Sequence, residues 1–349
     1  MAQRTIRVLI ADDSQTVRNH LAGLVNAAPG MIVVGEASDG EEAVARVEAL
    51  RPDVVSMDIR MPRMDGLEAT RRIMAQCPTP IVIVSALLEM DVELSIRSLE
   101  AGALAVVARP AVRQENVPDS FQRRFINALT AMSGVSLVRR RVGLEPLPAP
   151  VQPSLLTTAV RPELVVIGAS AGGPSALCEV IGKLPPDYPI PVVIVQHMPD
   201  EFMVGLARWL GGQVTMPVEL AEEGQVLAGG RAYVAPGGSH LTVARYGRRL
   251  VARLREDSGT DAYCPSVNAL FQSAALACGA ECVGVILSGM GDDGAAGMVA
   301  LREAGAATLA QDQATCTVFG MPGAAIERGA VQTILPLGDI PTALIRLAG

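Results

Sequence analysis

The stretch VVIGASAGGP, residues 165–174, carries an apolar run into Ser170 between glycines and then into a proline able to open a helix. GASAG fits G-x-S-x-G, a pattern that lifts a serine hydroxyl on a sharp turn between strand and helix for attack on an acyl carbon. The same glycines ahead of a helix N-terminus could cradle a phosphate instead, or form a tight turn with no chemistry. Neither G-K-S nor G-K-T follows to complete a P-loop, and the second glycine of G-x-G-x-x-G is absent. A nucleophile needs a base and an acid that orients the base. Of the three histidines, His20 lies on a first-half helix as a surface or packing residue. His197 ends the strand after the one bearing Ser170, and His240 follows APGGS in a loop as the reserve candidate. Asp292 and Asp293, in ILSGMGDDG, stand on a turn after another strand, where a carboxylate could fix the tautomer of a histidine. The order Ser, His, Asp is not the Ser, Asp, His of α/β-hydrolases, so a distinct fold is required.

A second group of side chains suggests different chemistry. Asp12 and Asp13 close the first strand pattern and Asp58 the third. Carboxylates converging at strand ends repel one another, and a hard divalent cation such as Mg²⁺ relieves this while preparing the site for phosphoryl transfer. The alternative is that these acids simply cap helices in solvent.

Both groups need strands that end together. From residue 6 to about 108, IRVLIAD, MIVVGEA, DVVSMD, PIVIVSA and LAVVA alternate with segments of helical spacing, which predicts a five-stranded parallel doubly wound sheet. Ligands of such sheets bind beyond the carboxyl ends of the strands. Helical periodicity resumes near Phe121 and runs to about Arg141. GLEPLPAPVQPS then reads as a semi-rigid linker, with the boundary near residues 142–160. The second half, through ELVVIGASAGGP, PVVIVQHMP, RAYVAP, CVGVILSGMGDDG and AATLAQD, predicts a mainly parallel α/β sheet. HLTVARYGRRLVARL is expected to be an antiparallel hairpin inserted within it.

Composition narrows the classes. A chain of 349 residues suggests two domains. A net charge of −7 argues against nucleic acid as a partner, the cluster Arg139, Arg140 and Arg141 reading as a solvated helix end. No apolar run approaches the roughly 18 residues of a membrane span, so no membrane insertion is expected. The N-terminus lacks a secretory pattern, which gives a cytoplasmic location by default. Six scattered cysteines form no CxxC framework, as in reduced compartments. Lys183 is the sole lysine.

IADDS, MDIRMPRMDGLEATRRIM and IVIVSA closely resemble the receiver domain of two-component response regulators. The resemblance implies a flavodoxin-like domain over residues 4–125, with Asp58 as phospho-acceptor. It implies Mg²⁺ held by Asp12, Asp13, Asp58 and the backbone carbonyl of Arg60, and Ser85 as the switch hydroxyl. Arg109 stands where receivers carry lysine, and the two differ in reach and hydrogen-bond geometry.

IGASAGGP, QHMP, YVAPGGSH, PSVNALF, GVILSGMGDDGAAGM and FGMPGAAI resemble the protein-glutamate methylesterases of bacterial chemotaxis, the CheB family. That resemblance implies a catalytic domain over 161–349, joined to the receiver by a helix extension and proline-rich linker over 126–160. Ser170 would be the nucleophile, His197 the base and Asp293 the orienting acid, with Met290, Ala171 and Gly172 at the pocket edge and no esterase cofactor. Asp292 takes a place often held by asparagine, and Ala171, Met203 and Cys264 replace threonine, threonine and arginine of many members. The implied activity is hydrolysis of glutamate methyl esters on chemoreceptors with release of methanol, and deamidation of receptor glutamines by some members. A chemotaxis-type histidine kinase would be the phosphodonor, and phosphorylation would uncover the esterase crevice. The alternative is a methylesterase-like regulator or adaptor in another signalling pathway.

Overall fold

A computed structural model describes residues 4–86, 89–109, 119–135, 160–257 and 263–349. The proline-rich stretch and the Arg139–Arg141 cluster lie outside them. The chain divides into two compact units, Met1–Leu137 and Val138–Gly349.

The first unit alternates strand and helix: β1 (Ile6–Ala11), α1 (Gln15–Ala27), β2 (Met31–Ala37), α2 (Gly40–Leu50), β3 (Val54–Met57), α3 (Gly66–Gln76), β4 (Ile81–Ala86), α4 (Glu89–Glu100), β5 (Ala105–Arg109) and α5 (Asp119–Ser133). The strands form one parallel sheet in the order β2-β1-β3-β4-β5. Val8, Leu9 and Ile10 of β1 and Val54, Val55 and Met57 of β3 are fully buried, as expected where helices cover both faces of a sheet. The helix starts are written into the sequence. Ser14, Asp39 and Asp65 are N-caps whose side chains accept from the N–H of Val17, Glu42 and Glu68. Because Ser14 caps α1, Asp12 and Asp13 are left to the strand end. The helix expected to reach Arg141 stops at Ser133, where Gly134 enters a turn closed by a Val135 N–H bond to the Met132 carbonyl.

The second unit contains β6 (Leu164–Ala169), α6 (Gly173–Gly182), β7 (Val192–Gln196), α7 (Asp200–Gln213), β8 (Val218–Leu220), β9 (Ala232–Val234), β10 (Ser239–Tyr246) and β11 (Arg249–Glu256). It continues with α8 (Val267–Cys278), β12 (Cys282–Ile286), α9 (Ala295–Glu303), β13 (Ala307–Gln311), α10 (Met321–Glu327), β14 (Thr333–Leu335) and α11 (Ile340–Ala348). Seven strands pair in parallel in the order β14-β13-β12-β6-β7-β9-β8. β6 lies between β7 and β12, all six of its residues buried. The three-residue edge strands β8 and β14 escape the sequence reading, being too short to show a period.

β10 and β11 form the expected antiparallel hairpin, paired from Ser239↔Glu256 to Tyr246↔Arg249. It is a sheet of its own. Leu241, Val243, Leu250 and Ala252 from the hairpin and Leu270, Phe271 and Ala274 from α8 belong to one buried apolar cluster. Burying such side chains stabilises the unit by about 1.5–3 kcal/mol each for the larger ones, and it fixes where α8 begins. No described helix is long and apolar enough to cross a membrane.

Candidate active site

Ser170, His197 and Asp293 come from three adjacent strand ends of the second unit. The last paired residues of β6 and β7 are Ala169 and Gln196, so Ser170 and His197 each stand one residue beyond, and the His197 N–H donates to the Ala169 carbonyl at 2.9 Å. On the other side of β6, the Ser170 N–H donates to the Ser288 carbonyl at 3.0 Å, just past β12. The serine turn is tight because Gly172 adopts φ +76°, and a Cβ there would come within 2.6 Å of the Thr317 side chain. α6 then starts with no side-chain cap and with a proline in its first turn.

His197 Nε2 donates to Asp293 Oδ2 at 2.8 Å. Its other ring nitrogen, Nδ1, is buried without a protein partner. This tautomer leaves the Nδ1 lone pair free to receive a proton. Asp293 is 3% exposed and is held by donors on both oxygens. Oδ1 accepts from Ser266 Oγ at 3.0 Å, the Asn268 N–H at 2.9 Å and the Gly294 N–H at 3.0 Å; Oδ2 accepts from the Val267 N–H at 2.7 Å as well as from His197. Burial alone would raise this carboxyl, but the His197 bond and charge and the N–H groups of Asn268 and Val267 outweigh it. The acid is held below its usual range. These donors are the first turn of α8, whose dipole also favours an anion.

Three residues that sequence reasoning left without a role build the frame. Gln196, 1% exposed, donates from Nε2 to the carbonyls of Ser170 (2.8 Å) and His197 (2.9 Å), tying the two turns together. Ser288 Oγ donates to the Ala171 carbonyl at 2.7 Å and accepts from the Val318 N–H at 3.0 Å. Ser266 caps α8 and also donates to Asp293. Each sits inside a quoted motif, QHMP, SGMGDDG or PSVN, so the signal was present without its meaning.

The remaining expectations sort simply. Asp292 is exposed and paired with Arg328 at 2.7 Å, so Asp293 alone of the two meets the histidine. His240 is fully buried, and its Nδ1 accepts from the Ser266 N–H at 3.2 Å, so it supports α8. His20 is exposed on α1. Ala171 and Met203 are buried, while Met290 and Cys264 are partly exposed. All six cysteines are free.

In the first unit, Asp12, Asp13 and Asp58 each offer an oxygen within 4.8 Å of the others. Asp12 Oδ1 accepts from the Ser14 N–H at 2.9 Å, while its Oδ2 is buried with no partner. Asp58 is 7% exposed and accepts from the Ile59 N–H at 2.8 Å. Burial first, then the neighbouring Asp12, pushes its carboxyl up to about 7, opposed by Arg109. Burial likewise raises Asp12. An orphaned carboxylate oxygen beside a crowded carboxyl fits a hard divalent cation. Ser85 lies buried on β4, and Arg109 ends β5 with its Nε buried and unpartnered. Arg60 is exposed in the loop after β3. Arg18, unremarked in the sequence, donates to the carbonyls of Asp12 and Asp13 at 2.7 and 3.1 Å and anchors the acidic loop.

A family model described as CheB methylesterase matches residues 165–344, and one described as response regulator receiver domain matches residues 8–118. A protein-glutamate methylesterase/protein-glutamine glutaminase of Myxococcus xanthus (strain DK1622) is 42% identical over 346 residues, covering 99% of this chain and 97% of the relative. A protein of the same description from Anaeromyxobacter dehalogenans (strain 2CP-C) is 44% identical over 344 residues, again 99% and 97%. The crystal structure of the Thermotoga maritima CheB methylesterase catalytic domain aligns at 37% identity and a TM-score of 0.52, covering 54% of this chain and all of that one. Both domains being matched in order along one chain, and the relatives being similar throughout, the chain belongs to the CheB family of methylesterases with an amino-terminal response-regulator receiver domain.

Proposed function

We propose that the chain is a phosphorylation-regulated serine esterase that hydrolyses glutamate methyl esters on the cytoplasmic domains of chemoreceptors, releases methanol and deamidates receptor glutamines. The observation that carries this reading is the His197–Asp293 bond at the strand end beside Ser170. Asp293 keeps the His197 proton on Nε2, so Nδ1 takes the Ser170 Oγ proton as that oxygen bonds to the ester carbonyl carbon. The negative charge moves to the carbonyl oxygen, where N–H groups of the turn after Ser170, those of Ala171 and Gly172, are the donors nearest in sequence. Collapse of this intermediate breaks the bond to methoxide, which takes the Nδ1 proton and leaves as methanol. A water then repeats the cycle: His197 removes its proton, the oxygen attacks the acyl carbon, and Ser170 leaves with the proton returned. No cofactor enters these steps.

The receiver spans residues 4–125, the connecting helix and linker 126–160 and the catalytic domain 161–349. Asp58 accepts the phosphoryl group from a chemotaxis-type histidine kinase in the cytoplasm. Asp12, Asp13, Asp58 and the Arg60 carbonyl would hold Mg²⁺, which neutralises the transferring phosphate. Ser85 and Arg109 then engage the phosphoryl oxygens. The test is methanol release from a methylated receptor fragment by the native chain, Ser170→Ala and Asp58→Asn, with and without acetyl phosphate. Release only with Ser170 present, raised by acetyl phosphate only with Asp58 present, is the expected result. Release by Ser170→Ala rejects the nucleophile, and equal rates with and without the donor reject the control.

A further inference from the structure

The catalytic histidine has one more neighbour. Tyr263 lies face to face with the His197 imidazole, with ring centroids 4.6 Å apart and planes within 7°. That separation lies at the close end of the range for stacked aromatic side chains. The tyrosine is 38% exposed, so it is not there to fill a core. Its hydroxyl packs on Gly291, where a Cβ would sit 2.7 Å from the phenol oxygen, and Gly291 has φ +83°. Only a glycine leaves room there, and it precedes Asp292 and Asp293 on the same loop. The phenol therefore bridges the base and the loop that carries the acid. An open cleft of about 260 Å³ borders Tyr263, Ser266, Asn268, Asp292 and Asp293.

Building on the esterase reading, we propose that Tyr263 is a positioning residue for His197: its ring holds the imidazole in the plane that keeps Nε2 on Asp293 and Nδ1 available to Ser170. Rotation of a histidine about its side-chain bonds needs clearance on both faces, and the stacked ring removes it on one. The same face favours the imidazolium that forms when Ser170 loses its proton, because the π-face of a tyrosine attracts a cation within about 6 Å. The stack therefore acts most strongly where charge develops, and its loss should appear in kcat. Burial, followed by the charges of Asp293 and Asp292, raises the phenol, so it stays neutral and does not compete as an acid or base.

The test compares native chain, Tyr263→Phe, Tyr263→Trp, Tyr263→Leu and Ser170→Ala, all full length, in turnover of p-nitrophenyl acetate, with melting temperatures recorded alongside. Tyr263→Phe and Tyr263→Trp, which keep an aromatic face, are expected within about twofold of native. Tyr263→Leu is expected to lose about tenfold in kcat with KM within about twofold, the size of a misoriented base. Native kcat in Tyr263→Leu overturns the proposal, as does an equal loss in Tyr263→Phe, which would assign the effect to the hydroxyl. If Tyr263→Leu melts below the assay temperature, Tyr263→Asn takes its place under the same two outcomes. Methanol release from a methylated receptor fragment is measured in parallel. Nitrophenyl ester turnover without methanol release rejects the glutamyl ester substrate and leaves the stacking comparison intact. A native rate no higher than that of Ser170→Ala rejects both.

Discussion

At the scale of single residues, Asp293 concentrates the most information. All of its partners donate, so the site accepts only an acceptor on both oxygens. Asp293→Asn would turn an amide N–H₂ toward one of these donors or toward His197 Nε2, forcing the ring proton onto Nδ1, the atom that takes the serine proton in the proposed mechanism. A fall in kcat of about 10³–10⁴-fold is expected, measured as methanol release, with a largely preserved circular dichroism spectrum. Asp58 makes the opposite case. Its folded carboxyl is raised to about 7, so the folded state binds a proton that the unfolded state releases near its ordinary value of about 4. This contribution to stability is present below that value and is lost as pH rises toward 7. Without divalent cation, Asp58→Asn should therefore raise the melting temperature of the receiver at pH 8 by several degrees and change it little at pH 4. A lower melting temperature at pH 8 would contradict the burial argument. The positions of Ser170, His197 and Asp58 could be picked out because motif and strand-end position coincide. Asp293 was singled out from Asp292 only by the family resemblance, and the structure pairs Asp293 with His197 and Asp292 with Arg328. Gln196, Ser266 and Tyr263 were not, because what they do depends on partners far away in the chain, such as the Ser266–Asp293 bond across 27 residues.

Whole elements show why the acid is so firmly held. The N-terminus of α8 supplies most of the donors to Asp293, and the hairpin β10–β11 packs against the same helix. Ser266 serves twice, as N-cap accepting from the Ala269 N–H at 3.3 Å and as donor to Asp293. Ser266→Ala should lower stability by about 1 kcal/mol, the usual value of such a cap, and reduce kcat about tenfold. Ser266→Thr, which retains the hydroxyl, should recover most of both. Equal kcat in Ser266→Ala and native would show that the backbone donors suffice. The hairpin and the strands beside the site could be read from alternation and apolar runs. The three-residue strands β8 and β14 could not, and neither could the stop of α5 at Ser133, where helical spacing continues in the sequence beyond the glycine that ends it.

For the molecule as a whole, the two units carry separate cores and separate chemistries. Mg²⁺ bound by the first unit stabilises that unit by mass action, so calorimetry should show a receiver transition that moves up with Mg²⁺ while the esterase transition stays in place. The shift should shrink below pH 7, where a proton on Asp58 competes with the cation. It should disappear in Asp12→Asn, whose site loses the charge on the unpartnered oxygen. A transition that moves equally in Asp12→Asn would place the cation elsewhere.

The position of β6 between β7 and β12 has a consequence for how activity comes into being during synthesis. A ribosome delivers β6 and β7 together, so serine and histidine can find each other early. Asp293 lies 96 residues beyond His197, after the hairpin and α8, and reaches the site only when β12 docks on the free edge of β6. On the proposed mechanism, the nascent domain therefore holds its serine with no oriented base until most of it has been translated, and ester cleavage switches on as one of the last events of its folding.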